Sequence, residues 1–448
     1  MEKNLSKSNW FSHILKIAIP VSLQSLLASS LSVIDQIMVG SLGETDIASV
    51  SLAGRFPTVF FFSVGSITVA ASILISQFRG KADKEQISRA FLLMFRWGLL
   101  LTALFFAVSY FFAAPLMTLF SPDLSVQATG SDYLRIVTLG FLPGFASGMF
   151  STYLRTTGRP GLPTIASVFA MVSNTILNYI LIFGHLGFSA MGVHGAAIAT
   201  TIARLLEFGL VLFFFLMHMR NSEWTVQWKV TIHGAFRKMA FLMALPIFLS
   251  ELAWSMGEAI YGIVYGHIGT DETAAMSLIG PMVIMSMGLF AGVAQASGIL
   301  VGGELGKKDY DMGVFLAKKA VNFGLIGAVG LGVVMIVFAG IYPNLYAIAD
   351  ATKHTTTALL ITFSAVMWIK VSNMILGGIL KSGGKTHYVF FLDLLGTWVI
   401  GIPLGLLSAF VFELPIYWVY LLIATEELVR LLIGYRIFLS RKWIQTIA

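Results

Sequence analysis

Apolar residues along this chain gather into runs near 14–39, 47–77, 90–113, 129–154, 162–184, 190–217, 238–265, 275–304, 315–342, 353–380, 387–410 and 414–439, with short polar stretches between them. A helix of about 20 apolar residues spans the hydrocarbon core of a bilayer, so each run reads as a membrane-crossing helix. Twelve such helices are predicted, and no polar stretch between them is long enough for a separate soluble domain. The pattern predicts an all-α polytopic membrane protein. Composition agrees, because 57% hydrophobic and 11% charged residues leave too little polar surface for a water-soluble protein of 448 residues.

The basic residues follow the even-numbered runs. Arg79, Lys81, Lys84 and Arg89 come after the second, Arg155 and Arg159 after the fourth, and Arg220, Lys229, Arg237 and Lys238 after the sixth. Lys307 and Lys308, then Lys381 and Lys385, then Arg436, Arg441 and Lys442 continue the series, while the intervening loops carry Glu44, Asp46, Asp123, Asp271, Asp350 and Glu413. Since Lys and Arg stay on the cytoplasmic side, both termini are expected in the cytoplasm and the protein in the inner membrane. The net charge of +7 is then a topology signal, not a nucleic-acid-binding stripe. The absence of cysteine excludes disulfides and thiolate metal sites. The start of the chain, MEKNLSKSNWF, lacks a cleavable signal pattern, so the first run is expected to remain as a helix.

The chain also repeats itself. At a constant offset of 226 residues Pro20 meets Pro246, Gly40 meets Gly266, Gly43 meets Gly269, and Ser51, Leu52 and Gly54 meet Ser277, Leu278 and Gly280. Gly80, Lys81 and Asp83 meet Gly306, Lys307 and Asp309, Gly98 and Leu99 meet Gly324 and Leu325, Gly158 meets Gly384, and Arg204, Leu205 and Leu206 meet Arg430, Leu431 and Leu432. Six helices per copy is an even number, so both copies enter from the same side and the repeats are parallel. An N-lobe over 1–217, a cytoplasmic linker over 218–237 and a C-lobe over 238–448 are predicted, with a central cleft.

Positions where the copies differ in polarity show what each lobe does for itself. Asp35 faces Tyr261, Asn174 faces Ile400 and Asn178 faces Leu404. An ionised carboxylate within an apolar run is costly, which makes Asp35 a functional candidate. Asn174 and Asn178, four apart, share a helix face, and Thr200 adds a hydroxyl. An acid, two amide carbonyls and a hydroxyl suit a small hard cation, and the same set suits a proton; interhelical hydrogen bonding is the plainer role for the amides.

In the C-lobe, Glu251 and Glu258 lie seven apart on one helix face and Asp393 lies on the eleventh run; together with Tyr261 these are candidates for substrate or coupling contacts. Lys370 is expected to neutralise one of these three acids. Arg204 with Glu207, and Arg430 with Glu426 or Glu427, have the spacing of structural ion pairs within a helix. Met256, Met276, Met282, Met285 and Met287 suit an adaptable pocket or simple packing. No metal-hydrolase motif, nucleophile elbow or phosphate-binding glycine loop occurs, so the sequence does not argue for an enzyme.

The twelve helices in two parallel repeats, the acid followed by VGSLG (Val39 to Gly43) and the loop LRTTGRP (Leu154 to Pro160) resemble the multidrug and toxic compound extrusion (MATE) transporters over the whole chain. The paired asparagines resemble its NorM branch. The resemblance implies two lobes, alternating access, and export of bulky, cationic or aromatic compounds against Na⁺ or H⁺, with Asp35, Asn174, Asn178 and Thr200 as the cation site. It implies no cofactor and no partners beyond those small molecules and membrane lipid, and a monomer is expected. Lys370 departs from NorM-type members that carry an aspartate there, which puts a C-lobe cation site of that type in doubt. A lipid-linked oligosaccharide flippase of the same superfamily is the alternative, although its pyrophosphate cargo calls for a more basic cavity; an intramembrane enzyme is a more distant one.

Overall fold

The structure is a computed structural model that describes residues 7–346 and 348–445. Helices run in the order α1 (Trp10–Gly40), α2 (Glu44–Ala53), α3 (Arg55–Gly80), α4 (Lys84–Phe111), α5 (Ala113–Phe120), α6 (Leu124–Thr138), α7 (Phe141–Thr156), α8 (Gly161–Phe183) and α9 (Gly192–Asn221). They continue with α10 (Gly234–Ile268), α11 (Thr270–Gly306), α12 (Tyr310–Phe338), α13 (Asp350–Ser382), α14 (His387–Asp393), α15 (Ile402–Leu406) and α16 (Ile416–Leu439). Two π-helical stretches, Leu394–Gly401 and Leu407–Val411, flank α15.

Among the described residues ten helical segments are long and apolar enough to cross a membrane, counting α2 with α3 as one and α14 through Val411 as another. The bent pair α6 and α7, which meet at 42°, makes an eleventh. The helix α16 completes twelve; Glu426, Glu427 and Arg430 in its middle make it less apolar than the rest. The expected all-α fold of twelve spans in two parallel repeats is therefore present.

The repeat is written into the backbone. Ala82 and its counterpart Lys308 both take positive φ, 60° and 64°, and Gly158 and Gly384 do so at 95° and 83°. One residue past the first pair, Asp83 and Asp309 each cap the next helix, accepting from Gln86 N–H and Met312 N–H at 3.0 Å. The copies differ where one breaks its helices. The single helix α13 corresponds to the bent α6 and α7, while α8 corresponds to the stretch interrupted by π-helix. Outside the spans, Asp123 caps α6 by accepting from the Ser125 hydroxyl at 2.7 Å and its N–H at 2.8 Å, which holds the carboxyl below its usual range.

The chain divides into two compact units inside α1, after Ser25, and inside α10, after Ala240. Leu26–Ala240 form one unit, and the described residues on either side of it form the other. The sequence repeat assigns residues 1–217 to one lobe, whereas the contacts join the first part of α1 to the second unit. The physical reason is a close approach of α1 to α11. A Cβ on Gly292 would lie 2.2 Å from the Ala18 carbonyl oxygen, and Ser22 donates to the Leu289 carbonyl at 2.5 Å.

In that second unit α13 runs through the core. Leu359, Phe363, Met367, Val371, Ile375 and Ile379, each four residues from the next, are fully buried. In the Leu26–Ala240 unit aromatic stacking does this work, with Phe60 on Phe141 at 4.0 Å and Phe150 on Phe215 at 4.5 Å.

Replacing Gly292 by Ala pushes a methyl into backbone, so G292A is expected to destabilise the protein by about 1–3 kcal/mol. Gly280, in the same helix with open space beside it, is the control: G280A should be neutral or stabilising by up to about 1 kcal/mol. Thermal unfolding of the purified variants in one detergent checks the difference in sign.

Candidate functional site

The site in the Leu26–Ala240 unit forms where α1, α8 and α9 meet. Asp35 is half-buried on α1, and α8 presents Asn174 and Asn178 to it from one face, one helical turn apart. Asn178 Nδ2 donates to Asp35 Oδ1 at 2.9 Å. With its amide oriented to satisfy both neighbours, Asn174 donates to Asp35 Oδ2 at 2.9 Å and accepts from the Thr200 N–H at 3.2 Å. Each carboxylate oxygen thus receives one amide hydrogen, and no cationic side chain among the described residues pairs with Asp35.

The sequence reading placed two amide carbonyls and a hydroxyl around a cation. In this geometry both amides turn their nitrogens to the carboxylate, because an ionised oxygen is the stronger acceptor. The Thr200 hydroxyl donates to the Ala196 carbonyl at 2.9 Å, inside its own helix. One ligand-type oxygen is left over. Asn178 is 2% exposed, and its Oδ1 is buried without a hydrogen-bond partner.

Asp35, Asn174 and Thr200 lie on the wall of a cavity of about 230 Å³ that continues past Leu31, Ala170 and Met171 to Ser167, Arg204 and Glu207. Glu207 accepts from Ser167 at 2.6 Å and from Arg204 at 3.1 Å, the ion pair expected from their spacing. The Arg204 guanidinium also lies over the Phe61 ring, 4.8 Å from its centre. Of the two carboxylates that line the cavity, Glu207 has a cationic partner in Arg204 and Asp35 has none among the described residues. Ser167 and Glu207 were missed as cavity residues in the sequence, where the i,i+3 spacing marked Glu207 only as an ion-pair partner.

The second unit holds a denser cluster, and it corrects several expectations. Lys370 pairs with Glu427 at 3.5 Å, not with Glu251, Glu258 or Asp393. Glu251 is taken by Lys381 at 3.3 Å, and Glu258 is exposed, so these two acids do not act as a matched pair. Asp393 accepts from Arg430 and from Ser250. Arg430 also meets Glu427 at 3.5 Å, while Glu426 turns away from it to accept from Tyr261 at 2.5 Å. Asn373 donates to Glu427 at 2.7 Å. Of the methionines singled out, Met256 and Met285 are exposed, while Met276, Met282 and Met287 pack against the core.

Followed from Asp35, Asn174 and Asn178, the 226-residue offset leads to Tyr261, Ile400 and Leu404, none of them an acid or an amide. The same offset applied to Thr200 leads to Glu426, and that signal was available.

The sequence profile of the MatE family matches this chain twice, over residues 20–180 and 246–407, two stretches that begin one repeat apart. The chain is 26% identical to a probable multidrug resistance protein NorM of Agrobacterium fabrum, over 90% of this chain and 88% of that one. It is 22% identical to the uncharacterized transporter YisQ of Bacillus subtilis, over 97% and 94%. Among solved structures, a D35N mutant of the Vibrio cholerae MATE transporter VcmN superposes with a TM-score of 0.88 at 20% identity, covering 97% of this chain and 98% of that one. A MOP superfamily transporter from Pyrococcus furiosus superposes with a TM-score of 0.86 at 17% identity, covering 98% of both.

The two repeat-related arginines should respond very differently to loss of charge. Arg204 is 41% exposed and faces the cavity, so R204Q is expected to cost less than about 1 kcal/mol. Arg430 is 16% exposed, and R430Q strands Asp393 as a buried charge and leaves Glu427 to Lys370 alone, at a cost of about 3–5 kcal/mol. Unfolding midpoints of the two variants measured side by side check this order.

Proposed function

The chain belongs to the MatE family of membrane transporters, and on that premise we propose that it exports bulky organic cations by antiport against Na⁺ or H⁺, with Asp35 as the group for which drug and ion compete. The observation that carries this reading is the state of Asp35. It is a carboxylate at the wall of a largely apolar cavity, held by two amides and facing no cationic side chain among the described residues.

Such a site accepts an organic cation whose apolar body lies against Leu31, Ala170 and Met171. It accepts a small cation equally, through Asp35 and the unpartnered Oδ1 of Asn178. A proton cancels the charge outright. In each case one occupant removes the attraction for the other, which is the antagonism that exchange requires. Alternating access makes this productive if ion and drug favour different states of the transporter, since equal preference shifts nothing. The carboxylates also disfavour a pyrophosphate-linked cargo, and no nucleophile or metal set in the chain's motifs argues for an enzyme. In this reading the protein lies in the inner membrane as a monomer with both termini in the cytoplasm.

Dye efflux from vesicles, driven in separate runs by a Na⁺ gradient and a pH gradient, tests transport and identifies the ion. Asp35→Asn keeps the shape and removes the charge, so efflux should fall by roughly tenfold or more with normal expression and folding. Undiminished efflux from that variant overturns the reading.

A further inference from the structure

The 226-residue offset gives each residue of the Asp35 site a counterpart: Tyr261 for Asp35, Ile400 for Asn174, Leu404 for Asn178 and Glu426 for Thr200. Two of these counterparts touch. Tyr261 Oη donates to Glu426 Oε2 at 2.5 Å, and the residues are 4% and 5% exposed. The acid has moved from the first helix of the repeat, α1 and its equivalent α10, to the last, α9 and its equivalent α16. The polar partner has moved the opposite way.

The pair is built in tightly. A Cβ on Gly401 would lie 2.0 Å from Tyr261 Oη and 2.1 Å from Glu426 Oε2, so only bare backbone fits beside it. Gly401 ends the π-helical stretch Leu394–Gly401, and π-helical interruptions recur at functional sites.

The charges around Glu426 are already committed elsewhere. From α13, Lys370 goes to Glu427 at 3.5 Å, and its ammonium stands over the Tyr420 ring, 6.0 Å from the centre. From α16 itself, Arg430 goes to Glu427 and to Asp393 at the end of α14. From α10, Glu258 is exposed, and Tyr265 adds a buried phenol. Four acids therefore meet two bases, and among the described residues Glu426 is the buried acid of the four with no ion pair. A buried carboxylate without a counter-charge is expensive, and binding a proton is the direct way to remove that cost.

We propose that Glu426, closed by Tyr261, is a second coupling site and that its ligand is a proton. A metal cation is a poor fit. Ile400 and Leu404 supply no side-chain oxygen where the first copy has its asparagines, so a metal ion would find one carboxylate and one phenol in place of a ligand set. A proton adds to a Glu426 carboxylate oxygen and leaves no other product. Protonation gives the carboxyl a donor of its own and makes it a weaker acceptor, so the Tyr261 bond between α10 and α16 is weakened, or reversed when the proton sits on Oε2. Protonation is thereby converted into a changed helix contact. The transport role of this site rests on the antiport reading above; the protonation of Glu426 does not.

The test is infrared difference spectroscopy of the full-length protein in lipid nanodiscs, following the carbonyl stretch of protonated carboxyl as pH is stepped from mildly acidic to mildly alkaline. In the wild type a band should titrate, persist in E258Q and D35N, and disappear in E426Q. In Y261F, which keeps the acid and the ring, it should persist with a shifted midpoint, which separates loss of the proton from loss of the fold. A band that survives unchanged in E426Q, or that disappears in E258Q instead, overturns the proposal. In vesicles, E426Q should lower efflux driven by a pH gradient by about fivefold or more; an unchanged pH dependence removes the coupling role. If D35N retains efflux while the band still belongs to Glu426, the reading of Asp35 fails and the proton site stands.

Discussion

A carboxylate inside an apolar bundle persists only where the protein replaces the hydrogen bonds and counter-charge that water would supply. Asp35 receives the first from Asn174 and Asn178 and lacks the second. That imbalance is the physical centre of the Leu26–Ala240 unit. The two amides fix the carboxylate without neutralising it, because an amide donates hydrogen bonds and carries no net charge. The remaining attraction is directed into a cavity whose other carboxylate, Glu207, is already answered by Arg204 and Ser167. A protein that meant only to hold its helices together could have placed a lysine against Asp35.

The second unit meets the same constraint differently. Asp393 and Glu427 are both neutralised, and Arg430 serves the two of them while Lys370 serves one. At the position of Ser167 the second copy has Asp393, so the conserved arginine of the repeat finds its acid on a different helix in each copy: Glu207 beside Arg204 on α9, and Asp393 at the end of α14 facing Arg430. The scaffold tolerates this because the repeat preserves helix ends, caps and positive-φ turns, such as those at Ala82 and Lys308. Polar groups are exchanged between helices inside a constant frame. Tyr261 and Glu426 are a further exchange of this kind, with the hydroxyl and the acid trading helices.

Much of this was legible in the sequence. Hydropathy and the constant offset located the twelve spans, because membrane helices must be long and apolar and a gapless repeat keeps its register. Asp35, Asn174, Asn178 and Thr200 were found together because polar groups in apolar runs are conspicuous, and the structure does bring them together. Partner choice was not legible. Lys370 had several acids within reach, and which it takes depends on how α13 and α16 face each other, not on spacing along either. The direction of the amides was hidden for a similar reason: an asparagine offers an oxygen and a nitrogen, and only the neighbouring carboxylate decides between them. The division of α1 after Ser25 also escaped, since it rests on Gly292 admitting the backbone at Ala18, a contact between residues far apart in the chain.

The central claim is that drug and ion are bound antagonistically through a carboxylate that has no internal counter-charge. Equilibrium binding of a fluorescent organic cation to the purified protein, with Na⁺ and pH varied one at a time, tests it most directly. The expected result is that the dye's affinity falls in proportion to the concentration of one of the two ions, as competition for a single carboxylate requires. An affinity that responds to neither ion would contradict the account.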